Sequence, residues 1–253
     1  MNGVEPTPPP TAVIMAAGRG SRLLPLTLEI PKCLLEVGGK PILAHQINVL
    51  CDIGIRKFEV ITGHGDPIVR ESLADMDAEI NFTCNENYAS TNSLYSLGCS
   101  RTEPGPEGLI LLNSDVLFHR DIARMLLNDR RENVLMADFQ SSLGDEEMKI
   151  TIDTDYRVTG ISKSIKSIDG QAENTGLLKV GHEAAIRMLE TARDPARLKT
   201  LTWVPDSIHA LRHDLDFHVL SIGNSPWIEI DFPEDLETAR RQVWPQLAPA
   251  TLD

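Results

Sequence analysis

The chain lacks the features of several large classes of protein. It has 24 Lys and Arg against 37 Asp and Glu among 253 residues, which argues against a polymeric nucleic acid or an anionic membrane surface as partner. Its four cysteines show no Cys-x-x-Cys spacing, and no apolar run approaches the roughly 18 residues of a membrane-spanning helix. The N-terminus has no signal-peptide pattern. We therefore expect a cytoplasmic monomer or homodimer with reduced thiols and no membrane partner.

Two common kinds of catalytic centre are also absent from the sequence. Histidines such as His45, His182 and His209 show no ligand spacing with cysteine or carboxylate side chains, which argues against a zinc site. No nucleophile elbow is present, and Ser21 has no evident base partner, so covalent catalysis is not indicated. Aromatic residues are few, with 3 Trp, 3 Tyr and 6 Phe, which leaves little for an aromatic cage around a quaternary ammonium group.

What the chain does contain is a glycine-rich segment directly after an N-terminal apolar run. Two glycines there let the backbone pass close to a ligand, and Arg22 and Lys32 supply the positive charge that a triphosphate requires. The segment is therefore predicted to cradle phosphate groups. The residues predicted to form this cradle are Ala16, Ala17, Gly18, Arg19, Gly20 and Ser21.

Other phosphate motifs compete for this part of the chain. A dinucleotide-binding fingerprint needs a third glycine where Ser21 to Leu23 stand and a helix that begins at once, whereas Pro25 and Pro31 predict an irregular loop. A P-loop needs Ser or Thr after Lys40, where the sequence has proline. A glycine-rich loop with surface cations is the remaining alternative.

Short aliphatic runs alternate with amphipathic, helix-length segments from residue 11 onward. This rhythm predicts an α/β protein with a Rossmann-like, mostly parallel sheet and helices on both faces. The predicted strands are 11–17, 57–62, 79–84, 108–113, 133–139, 148–153, 157–162, 175–180 and 216–222, and the predicted helices are 41–53, 66–75, 91–100, 120–130 and 182–193. Residues 1–10 are predicted to be a disordered leader and 11–245 a single domain, with a small β-rich subdomain inserted at roughly 140–215.

Two aspartates follow short apolar runs that are far apart in the chain. Asp115 comes after the run 109–112, and Asp231 ends the segment 227–231 just before a predicted helix. Carboxylates at neighbouring strand ends can hold Mg²⁺ against phosphate oxygens. For either residue alone, a helix cap or a turn is the alternative.

Together, these motifs resemble the signature of the nucleotidyltransferases that join a nucleoside triphosphate to a small phosphorylated acceptor. The resemblance implies that Asp115 and Asp231 carry magnesium and that a lysine after a Gly-x-Ile strand meets the acceptor phosphate. That lysine is Lys163, aided by Lys149, although the Glu and Pro that flank the family's lysine are missing here. A solvated lysine at a strand end is the alternative for Lys163.

The segment 85–97 indicates the subfamily. It resembles the NxxYxxTNxxYSL pattern of phosphocholine and phosphonate cytidylyltransferases, and it lacks the Glu-Gln run and Gly-Thr-Ala helix start of sugar-1-phosphate enzymes. Asn and Ser side chains can pair with a pyrimidine, although Ser90 or Thr91 could equally cap a helix. The residues predicted to bind the nucleotide here and after the strand 108–113 are Asn85, Tyr88, Ala89, Ser90, Thr91, Asn113 and Ser114.

Four lysines, Lys149, Lys163, Lys166 and Lys179, fall in the predicted acceptor region and favour an anionic acceptor. We therefore predict transfer of CMP from CTP to a small phosphonate, or to a phosphate monoester such as phosphocholine. A sugar-1-phosphate nucleotidyltransferase, a non-catalytic nucleotide-binding homologue and a nicotinamide-dependent oxidoreductase are the alternatives. The residues predicted to bind the acceptor are Asn92, Asn174, Lys149 and Lys163.

Overall fold

The structure of the protein is a computed structural model that describes residues 8–200 and 202–247. Its strands are β1 (Thr11–Ala16), β2 (Glu36–Val37), β3 (Lys40–Pro41), β4 (Lys57–Thr62), β5 (Glu79–Cys84), β6 (Leu109–Asn113), β7 (Val116–Phe118), β8 (Val134–Asp138), β9 (Lys149–Ile152), β10 (Val158–Ser162), β11 (Ala172–Val180), β12 (His218–Ser221) and β13 (Trp227–Glu229). Its helices are α1 (Ile42–Asp52), α2 (Asp66–Ser72), α3 (Ser93–Cys99), α4 (Arg120–Asn128), α5 (His182–Arg193), α6 (Val204–Leu211), α7 (Pro233–Thr238) and α8 (Trp244–Leu247). Most of the predicted leader, residues 1–7, lies outside the described residues.

Nine strands form one central sheet. Its main path runs in the order β10-β9-β11-β6-β1-β4-β5, and β8 pairs with β11 and β12 beside this path. The strands β6, β1, β4 and β5 are parallel neighbours, whereas β11 is antiparallel to β6. The predicted α/β architecture is therefore confirmed. The hairpin β9-β10 in the region 140–215 extends this same sheet through β11.

The apolar run of β1 is continuous because both of its faces are buried. Ala12 and Ile14 belong to a core cluster with residues of α1, α2 and α4. Val13 and Met15 belong to a second cluster with residues of α3, α5 and α6. Helices thus cover both faces of the sheet, as the sequence predicts. No helix in the described part of the chain is long and apolar enough to cross a bilayer.

A third core cluster ties the C-terminal segment to the loop that follows β1. Leu23 from that loop and Ile42 from α1 pack with Ile230, Leu236 and Ala239. This packing fixes the end of β13 beside the glycine-rich loop. The fold therefore brings residues near 20, 115 and 230 to the same edge of the sheet.

Gly38 is required by the packing of α8 on the β2-β3 hairpin. Its φ is +59°, and a Cβ there would lie 2.1 Å from Cε2 of Trp244. Gly39 has a φ of +78° but no atom within 4 Å of a Cβ. Gly38→Ala is therefore expected to lower the free energy of unfolding by about 1–3 kcal/mol more than Gly39→Ala, since both carry the cost of a left-handed conformation but only Gly38→Ala also displaces Trp244. Urea denaturation of both variants measures this, and equal losses would contradict the packing described here.

Candidate active site

A cavity of about 410 Å³ opens at the carboxyl ends of β1 and β6. In parallel sheets this edge is where ligands bind, because the loops that follow the strands meet there. The predicted site residues that line it are Ala17, Gly18, Gly20, Ser21, Arg22, Lys32, Tyr88, Thr91, Asn92, Asn113, Asp115, Lys163, Asn174 and Asp231. Most of the residues predicted from the sequence are thus brought together around one space.

Asp115 and Asp231 are held side by side by pairing of the segments that carry them. Strand β7, which follows Asp115, is antiparallel to β13, which precedes Asp231. The Ile230 amide donates to the Asp115 carbonyl oxygen at 3.0 Å. The carboxylate of Asp235, in the first turn of α7, accepts from the Asp231 amide at 3.0 Å, which fixes the backbone at that aspartate.

Lys32 joins the two aspartates. Its Nζ lies 2.7 Å from Oδ2 of Asp115 and also donates to Oδ1 of Asp231. Burial alone would lower the pKa of Lys32, but the two carboxylates raise the pKa above its usual value. Burial opposes ionisation of Asp231, yet Lys32 and Arg22 hold the pKa of this carboxyl below its usual value. The centre of the cavity is therefore a charged cluster of one ammonium and two carboxylate groups.

The glycine-rich loop must lie close to Lys32 for this cluster to form. Gly20 has a φ of +68°, and a Cβ there would lie 2.8 Å from Cβ of Lys32. The Thr27 hydroxyl donates to the Gly20 carbonyl at 2.7 Å, which closes the loop on itself. Gly20 therefore serves both the left-handed turn and the close approach of the lysine stem.

The two aspartates have the chemistry of a magnesium site that is completed by a substrate. Oδ1 of Asp115 is buried and has no hydrogen-bond partner. No group of three or more His, Cys, Asp and Glu side chains is arranged to hold a metal within residues 8–200 and 202–247. Mg²⁺ is commonly held by one or two carboxylates together with phosphate oxygens and water. The pair of aspartates fits this mode of Mg²⁺ binding, in which the substrate's phosphate oxygens and water supply the other ligands.

The cavity wall also contains a carboxylate, Glu146, that no sequence pattern indicated. Glu146 lies 2.7 Å from the Arg22 guanidinium and 3.6 Å from Nζ of Lys163. Arg22 also contacts Asp231 at 3.2 Å, and Lys163 lies 5.7 Å from the ring centre of Trp203. Glu146 comes from an irregular loop before β9, so no periodic pattern marks it.

Other lining residues were also missed, namely Met15, Ser93, Ser96, Met148, Trp203, Pro205 and Glu229. Among them, Glu229 had a signal in the sequence, because it stands two residues before Asp231 at the end of a strand and so shares its face. The backbone of Trp203 is held in place by Asp206, whose carboxylate accepts a hydrogen bond from the Trp203 backbone amide at 2.8 Å. That contact depends on a helix, α6, that the sequence analysis did not predict.

Several predicted site residues do not line the cavity. Lys149 is buried, and its ammonium group donates to the carbonyls of Gly144 at 2.6 Å and Glu147 at 3.1 Å. It therefore supports the loop that carries Glu146. Lys179 donates to the carbonyl of Asp129. Of the four lysines taken to favour an anionic acceptor, Lys163 lines the cavity, and Lys149, Lys166 and Lys179 do not.

Asn85 is a supporting residue rather than part of the cavity wall. Its amide nitrogen donates to the hydroxyls of Thr91 and Ser96, each at 3.0 Å, and its oxygen accepts from the Asn87 amide at 2.9 Å. These bonds fix the loop before α3, on which Tyr88 and Thr91 stand. The remaining predicted residues outside the wall are Ala16, Arg19, Ala89, Ser90 and Ser114.

Burial, together with the charges of Asp115 and Asp231, raises the pKa of Glu229 to about 8. The folded protein thus keeps a proton that the unfolded chain releases near the ordinary pKa of a glutamate. Glu229 is therefore expected to add a downward slope to the free energy of unfolding as the pH rises from about 5 to about 8. Glu229→Gln should reduce this slope in urea denaturation with EDTA present. The exposed control Glu190→Gln should keep it, and an unchanged slope in Glu229→Gln would contradict the assignment.

Comparison with known proteins shows the family to which this chain belongs. The model of the nucleotidyl transferase family, described as "Nucleotidyl transferase", matches residues 11–139. The inositol-1-phosphate CTP transferase structure from T. maritima has a TM-score of 0.77 at 19% identity and covers 94% of this chain and 98% of that chain. At that identity the likeness concerns the fold, which it confirms.

Three relatives differ in how much of each chain they share. The CTP:phosphoglutamine cytidylyltransferase of Campylobacter jejuni is 27% identical over 251 residues, covering 89% of this chain and 97% of that protein. The CMP-5'-(3-aminopropyl)phosphonate synthase of Streptomyces rubellomurinus is 35% identical over 120 residues, 47% of this chain and 19% of that protein. The UTP--glucose-1-phosphate uridylyltransferase AglF of Haloferax volcanii is 45% identical over 121 residues, 48% of this chain and 49% of that protein. The resemblance seen in the sequence is thus confirmed: this chain belongs to the nucleotidyl transferase family and has cytidylyltransferases among its relatives.

Proposed function

We propose that the protein transfers CMP from CTP to a small phosphonate or phosphate monoester and releases pyrophosphate. The observation that carries this proposal is the position of Lys32 between Asp115 and Asp231, beside the glycine-rich loop. Such a cluster suits a triphosphate with its divalent cation. The relative that shares nearly its whole length with this chain is named as a CTP-dependent enzyme, which supports CTP over other nucleotides.

In the proposed reaction an oxygen of the acceptor attacks the α-phosphorus of CTP. A bond from that oxygen to phosphorus forms, the bond from phosphorus to the bridging oxygen of the β-phosphate breaks, and pyrophosphate leaves. The attacking oxygen is already ionised near neutral pH, so no general base is required. The chain's task is to position two anions and to offset their charge.

Each charged residue then has a defined task. Arg22 and Lys32 hold the β- and γ-phosphates and the leaving pyrophosphate, and Lys163 holds the attacking group. Asp115 and Asp231 would hold Mg²⁺, which supplies charge neutralisation on the phosphate oxygens. The nucleoside binds beside Tyr88 and Thr91, which lie on the loop that Asn85 holds in place.

A pyrophosphate-release assay tests this function. With Mg²⁺, we expect CTP to give at least about tenfold higher kcat/KM than UTP, GTP or dTTP, a ratio that one or two hydrogen bonds to the base can supply. The acceptor panel comprises aminoethylphosphonate, propylphosphonate, phosphonopropionate, phosphocholine and hexose phosphates. A second candidate function is transfer of UMP from UTP to glucose phosphate, which the identity to AglF favours. Higher activity with UTP and glucose phosphate would reject the proposal. Absence of pyrophosphate release with every combination of these nucleotides and acceptors would also reject the proposal.

A further inference from the structure

Gln46 is a buried amide on a helix face that is otherwise apolar. Only 1% of its surface is exposed, and Ile42, Leu43 and Leu50, which share its face of α1, are fully buried. Its Nε2 atom makes two hydrogen bonds, whereas its Oε1 atom is buried without a partner in the described part of the chain. A buried amide oxygen without a partner costs free energy. Core packing alone therefore does not explain a glutamine at this position.

The two hydrogen bonds of Gln46 reach both ends of one short turn. Nε2 donates to the carbonyl of Asn113, where β6 ends, at 2.8 Å, and to the carbonyl of Val116, where β7 begins, at 2.7 Å. The turn between them, turn 114–115, consists of Ser114 and Asp115. Carbonyl oxygens only accept hydrogen bonds, so the amide nitrogen must face them. One buried side chain thus holds both ends of the turn that presents Asp115.

Strand pairing does not hold turn 114–115. In a β-hairpin, the hydrogen bonds between the two strands fix the turn that joins them. Here β6 pairs with β1 and β11, whereas β7 pairs with β13 in a separate sheet. Among the strand pairs of the described chain, none joins β6 to β7. The two bonds from Gln46 therefore take the place of a hairpin's own hydrogen bonds.

Helix α1 also supports the segment that carries Lys32. The amide of Ile42, at the start of α1, donates to the carbonyl of Leu35 at 3.1 Å. The two residues that directly follow Lys32 belong to the same core cluster as residues of α1. The contact of 2.7 Å between Lys32 Nζ and Asp115 Oδ2 therefore depends on α1 at both ends, at one of them through Gln46.

We infer that Gln46 is a positioning residue for Asp115, whose carboxylate it sets in place for the divalent cation through the backbone of turn 114–115. This inference rests on the proposed function and adds a residue that does not line the cavity. The Ile230 amide donates to the Asp115 carbonyl, so the position of the turn also bears on Asp231. Two hydrogen bonds to the backbone of the site offset the cost of the unpaired amide oxygen.

Gln46→Met tests the inference, because methionine keeps the length of the side chain and removes the donor. Asn133→Leu is the matched control. Asn133 is also a buried amide that joins two backbone groups, the Asp216 carbonyl at 3.0 Å and the Gly181 amide at 2.9 Å. It directly precedes β8, which is parallel to β6, and so lies at the opposite edge of the sheet from turn 114–115. Both variants should lose stability in urea denaturation, and only Gln46→Met should alter the site.

In the pyrophosphate-release assay with CTP, Gln46→Met is expected to lower kcat by about tenfold to a hundredfold, the order that a misplaced group can cost. The Mg²⁺ concentration for half-maximal rate should rise. KM for CTP at saturating Mg²⁺ should stay nearly unchanged, because Gln46 bonds to no residue of the glycine-rich loop. Added to Asp115→Asn, the substitution should cost less than about threefold more, because its effect passes through the Asp115 carboxylate. Asn133→Leu should leave all of these values unchanged.

Hydrogen exchange gives a readout that does not depend on activity. Amides of residues 113–116 should exchange faster in Gln46→Met than in wild-type protein or Asn133→Leu. Gln46→Asn, whose amide is one methylene too short to reach both carbonyls, should show the same pattern more weakly and replaces Gln46→Met if that variant does not fold.

Three results would overturn the inference while the proposed function stands. They are unchanged exchange at residues 113–116, an unchanged Mg²⁺ dependence, and a loss in the double variant equal to the product of the two single losses. The last two are the effects of a merely structural residue. Absence of pyrophosphate release by wild-type protein with CTP and every acceptor of the panel would reject the proposed function and this inference together.

Discussion

Lys32→Met is expected to lower turnover at least about a hundredfold, which is the order found when one electrostatic stabiliser is removed from an active site. Lys32 is the cation at the centre of the cavity, and its Nζ contacts both Asp115 and Asp231. Methionine keeps most of the stem that packs on Gly20 but removes the charge that, in the proposed function, faces the triphosphate. Steady-state pyrophosphate release, measured with saturating CTP and acceptor, gives the loss in kcat.

Two further variants separate charge from fold. Lys57→Met, at an exposed lysine that begins β4, should retain wild-type turnover. Lys32→Arg keeps the charge but places a planar group where Nζ fits between two carboxylates, so only partial activity is expected. Urea denaturation shows whether each variant is folded. A folded Lys32→Met protein with near-normal turnover would reject the role given to this lysine.

Asp115→Asn is expected to lower turnover by a similar factor, at least about a hundredfold. Asparagine has nearly the same shape and can still accept a hydrogen bond from Lys32, but it removes the negative charge that would hold Mg²⁺. The loss should therefore be accompanied by a higher Mg²⁺ concentration for half-maximal rate. Titration of the rate with Mg²⁺ at saturating CTP measures this shift.

The partner aspartate provides a check on the shared role. Asp231→Asn should show the same shift in Mg²⁺ dependence, and the double variant should lose far less than the product of the two single losses, because both residues act on one ion. Asp75→Asn, at an exposed aspartate after α2, should behave as wild type. An unchanged Mg²⁺ requirement in Asp115→Asn would show that this carboxylate does not hold the ion.

The sheet and the centre of the site could be predicted from local sequence. The apolar run 11–16 must be a strand buried on both faces, and the polar residues that follow β1 and β6 must meet at one edge because parallel strands end together. Asp115 and Lys32 were therefore expected in one place. The contact of Asp231 with them depends on the pairing of β7 with β13, which the alternation at 227–231 only partly indicates.

The sequence could not show which polar residues support the site from behind. Lys149 and Lys163 look alike in the sequence, yet one is buried under the loop 144–147 and the other lines the cavity. Asn85 was predicted to touch the nucleotide, but its amide is taken up by Thr91, Ser96 and Asn87. Such differences arise from tertiary burial and hydrogen bonding, which local patterns do not encode. Glu146 was missed because irregular loops have no periodicity.

A crystal structure of the protein with CTP and Mn²⁺, which takes the place of Mg²⁺ and can be located by its anomalous scattering, tests the proposed site most directly. We expect the triphosphate to lie against the backbone of residues 17–22 with Lys32 at its phosphates. The manganese peak should lie between Asp115 and Asp231. A triphosphate bound elsewhere, or a metal peak away from both aspartates, would contradict the proposed site.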